Sequence, residues 1–214
     1  MIKGVIFDMD GVISDTQKQH AFIEADILSR YGIIISPEEI TRQYAGVNTK
    51  KIFHELLKDQ TIKYDVDELM EEKWNKITAL ADESVEAING SIELIKSFHT
   101  AGFKLAVASA SNLKYVEKVI DSLAVRNYFD FLVGGDMVTN GKPDPESFLL
   151  AASKIGIEPE YCLVIEDGRS GMTAAKVAGM KCIGLVQNIH HEYPTKNLVT
   201  SLKHIDIVGL HDLS

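Results

Sequence analysis

Five short apolar runs, at 2–7, 103–108, 129–133, 161–165 and 182–186, recur along this chain, and helical patterns separate most of them. Strands that alternate with helices fold as βαβ units, so the sequence predicts a largely parallel sheet within an α/β fold. A sixth run, IDIV at 205–208, is a candidate late strand. The segment 91–101 reads as an amphipathic helix stopped by Gly102. Between 112 and 124, Leu113, Val116, Val119, Ile120 and Leu123 share one helical face. Asp144-Pro145 opens a further helix carrying Phe148, Leu149, Ala152 and Ile155, and another follows the fourth run and ends near Gly179.

The alternation breaks once, over residues 14–88, where helical periodicity dominates. Ile23, Ile27 and Tyr31 form one stripe, and Ile52, Phe53, Leu56 and Leu57 a second. Val66, Leu69, Met70, Trp74 and Ile77 form a third, started by Asp65 with Glu68 in capping-box position. The periodicity assigns Trp74, with the rest of its stripe, to bundle core. The organisation expected is therefore a core from 1–13 and 89–214 and a small helical cap from 14–88 that can act as a lid.

A chain of 214 residues can bury one good core with a small second module. Its net charge of -9 argues against a nucleic-acid partner, which needs clustered Lys and Arg. A small phosphorylated ligand stays compatible, because a local cation outweighs the net field. No apolar stretch reaches the ~18 residues of a membrane span. The opening MIKGVIFDMD already reads as a strand, which leaves no leader peptide, so the expected compartment is the cytoplasm. Cys162 and Cys182 lie in apolar runs and read as buried free thiols. The histidine pair His190-His191 reads as solvated loop, and a monomer is the default assembly.

Chemistry gathers where the strands end. The first run stops at Asp8 and Asp10, followed by Gly11-Val12, so two carboxylates stand at the ligand-binding end of a parallel sheet. Acids this close repel unless one is protonated or a cation sits between them. Such a pair suits a carboxylate nucleophile, a separate proton donor and a hard metal ion, although Asp also serves as a plain turn former. The second run ends in Ser109-Ala110-Ser111-Asn112, which is either an anion site or an ordinary helix cap. Lys142, held between Gly141 and Pro143, reads as a phosphate point charge or a solvated turn lysine. The fourth run ends in Glu166-Asp167-Gly168, which either seeds a helix or completes a carboxylate cluster that needs a divalent cation.

Taken together, DMDGV at 8–12, Ser109, Lys142 in GKPDP and the acidic pair in VIEDGRSG resemble the four motifs of the haloacid dehalogenase-like hydrolase superfamily, in order. The helical insertion resembles the cap of the branch that holds β-phosphoglucomutases and small-metabolite phosphatases. The resemblance implies a Rossmann-like three-layer core and Mg²⁺-dependent phosphoryl transfer from a small phosphorylated metabolite. It implies Asp8 as nucleophile and Asp10 as general acid-base. Ser109 and Lys142 would hold phosphoryl oxygens. Mg²⁺ would be bound by Asp8, the backbone carbonyl of Asp10, Asp167 and Glu166, the last directly or through water. The substrate-facing positions it implies are Gly11, Thr16, His20, Gly46, Val47, Asn48, Ala110, Ser111 and Asn112.

An acid at Asp10 favours phosphomonoester chemistry over dehalogenation. Thr16, His20 and Gly46-Val47 look like the mutase arrangement, but where mutases carry an arginine after Gly-Val-Ser this chain has Asn48-Thr49. Lys50 and Lys51 lie nearby, yet a lysine does not replace an arginine fork. The expectation is a phosphatase, with a mutase second and an idle binding protein third. Substrate identity is expected in the cap, at positions such as His20, Arg42, Asn48, Lys50 and Lys76. Gly168 stands where relatives often have serine.

Overall fold

A computed structural model of the protein describes residues 1–44, 47–83 and 85–212. Six parallel strands form one sheet in the order β3-β2-β1-β4-β5-β6. They are β1 (Gly4–Phe7), β2 (Lys104–Ala108), β3 (Phe131–Val133), β4 (Cys162–Glu166), β5 (Lys181–Leu185) and β6 (Asn197–Val199). Strand side chains alternate between faces, and each face has its own core. Val5 and Phe7 with Leu105, Val107, Leu163 and Ile165 pack under the helices α5 (Ser91–Thr100) and α6 (Leu113–Ser122). Ile6, Ala106, Ala108, Cys162 and Val164 pack under α7 (Glu146–Ile155) and α8 (Arg169–Val177). Both faces are covered, which is why these strands read as continuous apolar runs.

Between β1 and α5 the chain forms α1 (Gln17–Ser29), α2 (Pro37–Tyr44), α3 (Thr49–Leu57) and α4 (Val66–Glu83). Ile27, Phe53, Leu57 and Ile77 close their shared interior, and α4 also packs on α6 of the core. Asp65 caps α4 by accepting a bond from the Asp67 backbone N–H. Among the described residues no helix is long and apolar enough to cross a membrane. Cys162 and Cys182 are both buried and unbridged.

Two expectations fail. The segment 205–208 is no strand; the sixth strand is Asn197–Val199. Thr195 Oγ1 and Asn197 Nδ2 both donate to the Cys182 carbonyl, which docks the chain on β5 at that point. Ile205 and Ile207 are partly buried against the core without pairing, and a short apolar run looks the same in either role. Leu149 is exposed, because the inner face of α7 is Phe148, Ala151, Ala152 and Ile155.

Candidate active site

The strand order reverses beside β1, and ligands of open α/β sheets bind at such a switch point, outside the carboxyl ends of the strands. Asp8 follows β1 and Glu166 ends β4, its hydrogen-bonded neighbour, so the two carboxylates flank that crevice. Gly11 turns the chain back with φ of 95°, and a Cβ there would lie 2.4 Å from Asp167 Oδ2. Only glycine allows both the turn and the close approach.

Lys142 arrives from the loop before α7, nine-tenths and more buried. Its Nζ lies 2.5 Å from Asp8 Oδ1 and 2.8 Å from Glu166 Oε2, with the Phe148 ring beneath it at 4.8 Å. Burial and the two carboxylates act on this ammonium in opposite directions, and the carboxylates win, so its pKa is raised. Glu166 Oε1 accepts the backbone N–H groups of Asp167 and Gly168. Room for that side chain comes from Gly171, where a Cβ would fall 1.8 Å from Glu166 Oε2. Gly168 is the N-cap of α8 and offers no side-chain cap.

Carboxylate oxygens of Asp8, Glu166 and Asp167 lie within 4.8 Å of one another. Among protein groups alone, burial first and the Glu166 charge second push the Asp8 carboxyl up to about 8. Asp167 is raised for the same reasons, with Asp8 contributing. Converging hard oxygens whose ionised forms are mutually unfavourable are the donor set that Mg²⁺ prefers, so these residues fit that ion. The Asp10 side chain is not in this group, but its backbone oxygen belongs beside it. Gln17 Nε2 donates both to that oxygen, at 3.1 Å, and to Asp167 Oδ2, at 2.5 Å.

The Asp10 carboxyl faces the other way, toward a set of donors. Thr16 donates to Oδ1 at 2.5 Å, and Ser111 and Ser109 donate to Oδ2 at 2.8 and 3.2 Å. His20 Nε2 stands 3.3 Å from Oδ1, close enough for charge contact but not aligned as a hydrogen bond. Burial would raise this carboxyl, but the His20 ring and the hydroxyl donors outweigh it and hold Asp10 well below the usual carboxylate range. Thr16 and His20 come from the insertion and Ser109 and Ser111 from the loop after β2, so Asp10 joins the two parts of the chain.

Asp8, Asp10, His20, Val47, Ala110, Ser111 and Lys142 line one open cleft. Asn48 and Asn112 instead serve as helix caps, accepting the backbone N–H groups of Lys50 and Tyr115. Gly46 lies outside the described residues. Arg42, Lys50 and Lys76 do not reach the cleft; they pair on the surface with Glu39, with Asp67, and with Asp26 and Glu72. Trp74 is more than bundle core. It lines the cleft, with its ring 6.0 Å edge-on from His20.

Sequence reasoning missed Gln17, Glu24, Thr49 as a lining residue, and Lys73. The signal for Lys73 was its place on the apolar stripe of α4, four residues from both Leu69 and Ile77. Glu24 sits likewise between buried Ile23 and Ile27. A lone charge on a buried face needs a partner.

Over 84% of the chain and 94% of its own length, the fructose-1-phosphate phosphatase YqaB of Escherichia coli is 32% identical. A phosphorylated carbohydrates phosphatase of Thermotoga maritima is 32% identical over 88% of each chain. A β-phosphoglucomutase crystal structure from Clostridium difficile superposes with a TM-score of 0.89 at 26% identity, covering 99% of this chain and 96% of that one. A family model described as haloacid dehalogenase-like hydrolase matches residues 5–185, the stretch that holds every carboxylate of the cluster, and the chain belongs to that family.

Proposed function

We propose that this chain is a Mg²⁺-dependent phosphatase that releases phosphate from a small phosphorylated metabolite through an aspartyl-phosphate on Asp8. The observation that carries the reading is the division of labour between two acids one residue apart. Asp8 points into the Lys142, Glu166 and Asp167 cluster, while Asp10 points at hydroxyl donors on the opposite side. A nucleophile and a proton carrier need those different surroundings.

Asp8, Asp167 and the Asp10 backbone oxygen would hold Mg²⁺, with Glu166 direct or one water removed. When bound, the ion supplies charge neutralisation for the carboxylates and the phosphoryl oxygens together. An Asp8 oxygen attacks phosphorus as the bond to the leaving oxygen breaks, and Asp10 gives that oxygen a proton. Asp10 then takes a proton from the water that cleaves the acyl phosphate, which returns Asp8 and frees phosphate. Its hydrogen bonds favour the carboxylate, the form this second half needs. Lys142 offers the phosphoryl group a buried positive charge. Ser109 and Ser111 stand at Asp10 and orient it.

A mutase reading is favoured by His20 and Thr16 at Asp10 and by the likeness to β-phosphoglucomutase. Against it, Thr49 occupies the place of the arginine that grips a second phosphate, and its hydroxyl is already bonded to Glu24. The test is a panel of phosphorylated metabolites with Mg²⁺, including β-glucose 1-phosphate with and without a bisphosphate primer. Free phosphate from one compound supports the phosphatase. Primer-dependent glucose 6-phosphate would replace it with the mutase, and no turnover of any compound would sink both.

A further inference from the structure

The cleft has a second polar end, built wholly from the inserted helices. Glu24 of α1 and Lys73 of α4 stand 2.8 Å apart, at 4% and 2% exposure. Thr49, in the first turn of α3, donates to Glu24 Oε1 at 2.6 Å and accepts from Lys73 Nζ. The Trp74 ring lies 4.5 Å from the same ammonium. All four residues line the cleft that also holds Asp8, Asp10 and Lys142.

A buried ion pair contributes little net stability, and packed apolar side chains would serve a bundle interior as well or better. Its place on the cleft wall points to recognition. The group is neutral overall but rich in directional valences. Among the described residues both contacts to Glu24 use Oε1, which leaves Oε2 to accept, and an ammonium with two of its three donors engaged has one to give. A hydroxyl donates and accepts, so it satisfies both. A second phosphate or a carboxylate only accepts, and it would meet the Glu24 charge. Lys73 and His20 hold the Glu24 carboxyl below its ordinary value despite burial, so that charge persists at neutral pH.

We propose that Glu24, Thr49 and Lys73 form a hydroxyl-reading subsite, which selects monophosphates of sugars or polyols and rejects substrates with a second anionic group. This rests on the phosphatase reading of the same cleft. The full chain with Mg²⁺ is assayed on acetyl phosphate, fructose 1-phosphate, fructose 1,6-bisphosphate, phosphoglycolate and ethyl phosphate. Acetyl phosphate reports phosphoryl transfer alone, so no release from it would overturn the phosphatase reading and this proposal together. With that release intact, kcat/KM for fructose 1-phosphate should exceed those for the bisphosphate and phosphoglycolate by at least about 10-fold, the scale on which unmatched polar groups discriminate. Equal values would overturn the subsite alone.

Glu24→Gln removes the negative charge beside Lys73. It should move the ratio at least about 10-fold toward the bisphosphate, mainly through KM. An unmoved ratio in folded protein contradicts the proposal. If that variant does not fold, the charge-balanced double variant Glu24→Gln/Lys73→Met replaces it. There the preference for fructose 1-phosphate over ethyl phosphate should fall about 10-fold, and its retention would overturn the proposal.

Discussion

The Thr16 hydroxyl donates a 2.5 Å hydrogen bond to Asp10 Oδ1 instead of capping the helix it precedes. Thr16 is fully buried and is also 3.0 Å from the Ser14 hydroxyl, so the bond is fixed in place. Thr16, with His20, thereby helps hold the Asp10 carboxyl below the usual carboxylate range.

Thr16→Val keeps the shape and removes the donor. Asp10 is held below the usual carboxylate range partly by this bond, so losing it raises the Asp10 pKa. The limb of kcat/KM on which Asp10 loses the proton that the first half-reaction needs should move to higher pH. A pH–rate profile on a sugar phosphate reads this directly; a limb that stays in place would detach Thr16 from the function of Asp10.

Asp10→Asn removes the proton carrier. The kcat/KM of an alkyl or sugar phosphate, which reports the first half-reaction alone, should fall by about 10²- to 10⁴-fold, and by much less for p-nitrophenyl phosphate, whose leaving group needs little protonation. Equal losses on the two substrates would count against the acid role.

Gly171→Ala tests the place of Glu166 in the carboxylate cluster. The new Cβ would fall 1.8 Å from Glu166 Oε2 and 2.2 Å from Glu166 Cδ, so Glu166 must leave Lys142. Overpacking of this kind costs roughly 1–3 kcal/mol. The melting temperature should fall, and calorimetric titration should show weaker Mg²⁺ binding. Unchanged Mg²⁺ affinity would mean that Glu166 does not shape the cation site.

The Glu24–Lys73 pair gives a pH signature in stability. Glu24 is depressed below its ordinary 4.5 by Lys73 and His20 in spite of burial. A depressed acid contributes stability above its unfolded pKa and loses it as pH falls through the folded value. Breaking such a pair from one side costs about 3–5 kcal/mol, so Glu24→Gln should melt well below wild type at pH 6–8. The gap should start to close as pH drops below about 4.5. A gap independent of pH would show that Glu24 is not ionised in the fold.

What the sequence made legible follows from how local each signal is. β1, β2, β4 and β5 are continuous apolar runs because both sheet faces are covered, and Asp8, Lys142, Glu166 and Asp167 stand beside turns that the chain itself marks. Asn197–Val199 carries no such run; side-chain bonds from Thr195 and Asn197 to the Cys182 carbonyl place it, and those are non-local. Lys73 and Glu24 are visible as charges on apolar faces, but 49 positions of sequence separate them and no periodicity pairs them. Gln17 lacks even that clue, because its reach to Asp167 spans 150 positions. Lys50 and Lys76 looked equally suited to the cleft, and only packing sends them to surface acids instead.

The central claim is that Asp8 is the nucleophile, and phosphate release by purified Asp8→Asn beside wild type, in Mg²⁺ with the best substrate of the panel, tests it most directly. Release should fall to background while the melting curve shows a folded protein. A rate near that of wild type would contradict the account.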